Sequence, residues 1–185
     1  AGLAYWFRPS LRRRVQDEIK AQFDRFAVTG LPCSHVDGHQ HLHVHPVVWD
    51  AMLDRCIEYG VSWVRVPFEE WRPCGNTPAT RRMEWFAMRM LSRRCRRKAE
   101  ARGIRCADRV YGHVNSGGMT VQCLQTTIRH LSGNVNEVYL HPGASDEEFE
   151  AVTSPDAKKA IAQLNVMLAS FADLRSEEAS APPLR

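Results

Sequence analysis

Leu11, Val15, Ile19, Phe23 and Phe26 recur every three or four residues, the spacing of one buried helical face. Ser10 stands where an N-cap belongs, and Gly30 and Pro32 stop the segment. A short apolar-polar strand over 34–37 follows, then a histidine-rich loop over 38–45. Pro46 suits the first position of a second helix, which Gly60 closes. Residues 61–66 are rich in β-branched side chains and read as a strand ending at Pro67. Pro73, Gly75 and Pro78 mark 68–80 as a long loop. A helix over 81–102 runs to Gly103, and 110–114 is a third strand. Thr120 can cap a helix whose Val121, Leu124, Ile128 and Leu131 share one face. A fourth strand over 137–140 ends at His141-Pro-Gly143, and one or two helices carry the chain to about residue 175. The tail 176–185 has the composition of a disordered segment. Four strands alternating with helices predict an α/β fold with parallel strands in one domain over 1–175. A closed β/α barrel usually takes about 250 residues, so these 185 read as a partial barrel.

Composition narrows the class without naming a function. A hydrophobic share of 44% with 25% charged residues is that of a globular protein. No run reaches the roughly 18–20 apolar residues of a membrane span. The six cysteines form no C-x-x-C pair, which argues against a zinc ribbon and predicts reduced, buried thiols in a cytoplasmic protein. The net charge of +4 is uneven: 81–105 holds ten basic residues against Glu84 and Glu100, leaving the remainder net acidic.

The segment richest in chemistry is His35-Val-Asp37-Gly-His39-Gln-His41-Leu-His43-Val-His45, with an ionisable side chain at every second position. In a strand all six would share a face, but they would stretch over about 33 Å, too far for one ion. Gly38 lets the chain turn, so a strand is expected to end near Asp37 with the histidines fanning out beyond it. Active sites of parallel α/β folds gather at such strand ends. Imidazole and carboxylate together suit a divalent metal. A histidine-rich surface loop is the plain alternative, but five histidines and an aspartate in strict alternation at a strand end favour a site.

This motif resembles the central motif of the YdjC-like carbohydrate deacetylases, which include chitooligosaccharide deacetylases. Val64-Arg-Val-Pro67 and Leu140-His-Pro-Gly143 are similar to two further pieces of the family pattern, and the text around 14–30 and 43–46 is nearest its hopanoid-biosynthesis branch. The resemblance implies a (β/α) barrel of polysaccharide-deacetylase type, here lacking its N-terminal strands. It also implies one divalent ion, magnesium or zinc. His39 is the matching metal ligand. The family's other two ligands and its Asp-Asp pair lie nearer its N-terminus, and this sequence has no Asp-Asp pair. The implied reaction removes an N-acetyl group from an amino sugar. The metal and a general base activate water, and a histidine protonates the leaving amine. His141 is the expected acid. His35, Asp37, His41 and Arg65 are expected to position ligands or touch substrate, and His43 to matter less than His39. His113 and His130 read as structural. These 185 residues alone are expected to be inactive.

The helix over 81–102 carries an apolar stripe of Met83, Phe86, Ala87, Met90 and Leu91 beside a basic C-terminal half. Such a helix can lie on an anionic membrane, which suits an acetylated amino-sugar substrate linked to a lipid such as a hopanoid. The expected location is cytoplasmic, peripheral at the inner membrane. An ordinary helix with a solvated basic face is the plain reading. Two rival functions remain: a nucleic-acid-binding module, which leaves the histidines unexplained, and a non-catalytic metal-binding protein, which leaves the α/β frame unexplained. Nucleic acid is not an expected partner.

Overall fold

The computed structural model describes residues 8–174; the tail read as disordered lies outside them. The fold is mixed α/β. In chain order the elements are α1 (Pro9–Ala27), β1 (His35–Val36), a 3₁₀ segment (His39–Val44), α2 (Pro46–Glu58), β2 (Trp63–Val64), α3 (Ala79–Glu100), β3 (Arg109–Tyr111), α4 (Val121–Arg129), β4 (Asn136–Val138), α5 (Asp146–Thr153) and α6 (Pro155–Gln163). The strands form two parallel pairs, β1 with β2 and β3 with β4. The chain divides into two compact units, one of 8–66, 91–106 and 169–174, the other of 67–90 and 107–168.

In the first unit, His35 registers with Trp63 and Val36 with Val64. Arg105 adds a parallel bridge on the far side of Trp63. α2 supplies much of this unit's core. Trp49, Leu53 and Cys56 recur at helical spacing and are fully buried, which contributes roughly 1.5–3 kcal/mol for a large apolar side chain. α1 differs from its sequence reading at its start. Arg8, not Ser10, occupies the cap position, because Pro9 takes the first helical turn. Its apolar stripe is only half-buried: Phe23 meets Tyr59 at 5.4 Å between ring centres.

In the second unit, Arg109, Val110 and Tyr111 register with Asn136, Glu137 and Val138. Beyond the pair, Gly112 has φ +132°, and a Cβ there would sit 2.5 Å from the Tyr139 carbonyl oxygen. Only glycine lets the two strand exits approach so closely. Met119, Cys123, Leu124, Ile128, Ala151, Ala157 and Ala160 pack into one core from α4, α5 and α6.

The expectation of six reduced thiols is corrected. Cys74 and Cys123 form a disulfide; Cys33, Cys56, Cys95 and Cys106 are free. The 68–78 loop is drawn in by tertiary contacts: the Asn115 side chain accepts from Cys74 N–H and donates to the Arg72 carbonyl. This brings Cys74 to the first turn of α4, where Cys123 is buried.

Candidate functional site

The histidine array is not a strand face. β1 ends at Val36, and Gln40 (φ 50°) and His41 (φ 56°) take left-handed backbone conformations. They form a kink inside the 3₁₀ segment His39–Val44, which breaks the alternation into an unequal set. His39 and Leu42 are exposed, whereas His41 and His43 are buried. His45 lies at the N-cap of α2, its Nδ1 accepting from Val47 N–H at 3.3 Å.

Three of the motif's groups are joined by one residue from the end of β2. Arg65 pairs its guanidinium with the Asp37 carboxylate. Its N–H donates to the Val36 carbonyl at 2.9 Å, and its own carbonyl accepts from His43 Nε2 at 2.9 Å. That hydrogen bond fixes the His43 tautomer with the proton on Nε2. Burial holds the His43 pKa below its ordinary value, more than the hydrogen bond to Arg65 restores. Gly38 closes over this ring: a Cβ there would lie 2.7 Å from His43 Nδ1. His43 is therefore a structural post under the loop, a role that alternation did not reveal. His41 lies beside it, 6.0 Å between ring centres. His35 is engaged elsewhere, hydrogen-bonded to Ser34 Oγ and stacked on Phe171 at 4.3 Å.

His141 belongs to the second unit, at the end of the strand containing β4, and is half-exposed. Two buried carboxylates of this unit escaped the sequence reading. Glu69 accepts from Val114 N–H at 2.6 Å and Gly112 N–H at 3.1 Å. Burial pushes its carboxyl up to about 7, against the pull of the Val114, Gly112 and His113 N–H groups. Glu148 lies beneath His141. Its only sequence signal was Ser145-x-x-Glu148, which reads as an ordinary capping box. His130 donates from Nδ1 to the Thr126 carbonyl, in keeping with a structural role. Burial holds His113 below its ordinary pKa.

Among the described residues, no three His, Cys, Asp or Glu side chains converge to hold a metal ion. His39 is exposed, but Asp37 is tied to Arg65 and His43 to the Arg65 carbonyl. The described residues do not by themselves fit a divalent ion, which needs about three protein ligands.

Parallel strand pairs with helices, and a motif of His, Asp and Arg at the β1 and β2 ends, define an α/β protein with a candidate site at those strand ends. The particular family follows from comparison: the YdjC-like protein family model matches residues 2–174, and the chain belongs to that family. A carbohydrate deacetylase of Brevibacillus brevis is 23% identical over 175 residues, covering 86% of this chain and 61% of the relative. A chitooligosaccharide deacetylase of Yersinia enterocolitica is 28% identical over 163 residues, covering 86% and 60%. A carbohydrate deacetylase of Mus musculus is 42% identical over 57 residues, covering 30% and 18%. The chain thus spans about three fifths of the length of the bacterial relatives. No solved structure matches it.

Proposed function

We propose that this chain is part of a carbohydrate N-deacetylase, a hydrolase that removes the acetyl group from an amino sugar. The observation carrying the reading is the exposed His39, which follows the end of β1 in the same motif as the Asp37–Arg65–His43 arrangement. The names of the relatives supply the reaction class. In this reading the two parallel pairs are parts of a polysaccharide-deacetylase-type (β/α) barrel. The enzyme depends on one divalent ion, magnesium or zinc, to which this chain contributes His39. Asp37 and Arg65 orient the strand end, His35 and His41 position the loop or substrate, and His141 protonates the leaving amine nitrogen. The 185 residues alone do not turn over substrate, because they bring only one available ligand.

The substrate we favour is an N-acetylglucosaminyl lipid of the hopanoid type. What supports a lipid surface is α3. Met83, Phe86 and Met90 lie on one exposed stripe of the helix, and Arg93, Arg94 and Arg97 continue it. Those three arginines make no ion pair among the described residues. Apolar side chains followed by cations suit an anionic bilayer surface. No helix among the described residues is long and apolar enough to cross a membrane. A cytoplasmic location at the inner membrane goes with this reading. The Cys74–Cys123 bond pulls the other way, since reducing compartments keep such pairs as thiols.

The test uses the full-length protein and measures amine release from an N-acetylglucosaminyl substrate, before and after chelation and metal return. Metal-dependent release that His39→Ala abolishes, with loss of bound metal, supports the proposal. Metal retained with no release from any acetylated sugar would point instead to a non-catalytic metal-binding protein.

A further inference from the structure

Glu148 stands at the third position of α5, where the capping-box pattern would turn it back toward its own helix end. Its carboxylate goes elsewhere. It is 1% exposed, and its Oε1 accepts from Gly117 N–H at 2.7 Å. Its Oε2 accepts the backbone N–H of His141 and lies 3.5 Å from His141 Nδ1. One buried carboxylate thus joins the turn after β3 to the strand-end histidine. Ser145 still caps the helix through Glu148 N–H at 3.3 Å, so capping does not require the glutamate side chain. Burying a carboxylate is costly unless its oxygens are met, and here both are. Two backbone donors hold the carboxylate in place; the imidazole is the partner with freedom to rotate. Tyr139 meets its ring edge-on at 5.7 Å.

We propose that Glu148 is the positioning residue for His141, fixing the imidazole through Nδ1 so that Nε2 is the nitrogen offered to substrate. This rests on the reading of His141 as the acid. In the step it serves, water gives up its protons to a general base and solvent, its oxygen bonds to the acetyl carbon, and the carbon–nitrogen bond breaks. The leaving amine takes the proton from Nε2, acetate departs, and the neutral ring keeps its proton on Nδ1 beside the carboxylate. Solvent then returns a proton to Nε2. A separation of 3.5 Å is long for a hydrogen bond, but catalytic contacts commonly tighten only with substrate bound. The orienting role is the one a carboxylate plays behind many catalytic histidines.

The test combines kinetics and NMR on the full-length protein. Glu148→Gln should lower kcat about 10- to 100-fold while leaving KM within about twofold. Glu148→Asp should restore part of the rate. In a His141→Ala background, Glu148→Gln should cost nothing further. Nitrogen chemical shifts of the unsubstituted protein should show neutral His141 as the Nδ1–H tautomer, a readout needing no variant to fold. An Nε2–H tautomer, or a Glu148→Gln protein with unchanged kcat, would overturn the proposal. Full activity of His141→Ala would instead remove the acid reading on which it rests.

Discussion

His43→Ala should destabilise the protein strongly, against the hydropathy pattern of its own segment. Leu42 is apolar and 65% exposed, while His43 is polar and 4% exposed. Truncating His43 leaves the Arg65 carbonyl without its donor, which costs about 1–3 kcal/mol when buried. Emptying the ring volume between Gly38 and Trp49 adds about 1–2 kcal/mol, less than for a phenylalanine, because water can enter a polar site. The expected loss is therefore about 2–4 kcal/mol, a large share of a typical domain's stability. Leu42→Ala should cost less than about 0.5 kcal/mol, as exposed substitutions do. Urea unfolding of the full-length protein at pH 7.5 measures both. The effect should also depend on pH. Burial lowers the folded pKa of His43 below the ordinary 6.5, so the unfolded chain binds the extra proton. Its contribution is complete above about pH 6.5 and is lost as pH falls through the folded value. The gap between the unsubstituted protein and His43→Ala should therefore narrow on acidification. Equal costs for the two substitutions, or a gap that widens below pH 6, would refute the structural post.

Glu69 should show the opposite slope. Its folded pKa, raised to about 7, means a contribution complete below about pH 4.5 and lost as pH rises through 7; Glu69→Gln should gain stability relative to the unsubstituted protein over that window, and parallel unfolding curves would contradict it. The Cys74–Cys123 bond spans 49 positions, so Cys74→Ser should cost about 4 kcal/mol by chain entropy alone; alkylation of the denatured, unreduced protein should find four thiols, and six would exclude the bond. The exposed stripe of α3 should bind vesicles containing anionic lipid at low salt and release them as salt rises. Replacing Arg93, Arg94 and Arg97 with Gln should weaken that binding without loss of turnover on a soluble substrate; an absence of binding at low salt would leave the stripe a solvated face.

The sequence by itself determined the elements. Pro46 and Gly60 bound α2, Thr120 caps α4, and Gly103 follows the end of α3, because caps and apolar spacing act within a few residues of where they are written. It also showed where to look for chemistry, since a run of histidines after a strand is a local pattern. Tertiary structure decided what each side chain does there. Whether His39 or His43 is the buried one depends on the Arg65 carbonyl, 22 residues further on. Cys74 and Cys123 meet because of the path of the 68–78 loop, which no spacing rule encodes. Glu148 carries an unremarkable capping pattern, yet its carboxylate joins Gly117 to His141. Burial and long-range hydrogen bonding belong to the packed chain. A polar residue's role follows from which distant backbone groups it must satisfy, and that is fixed only when the elements come together.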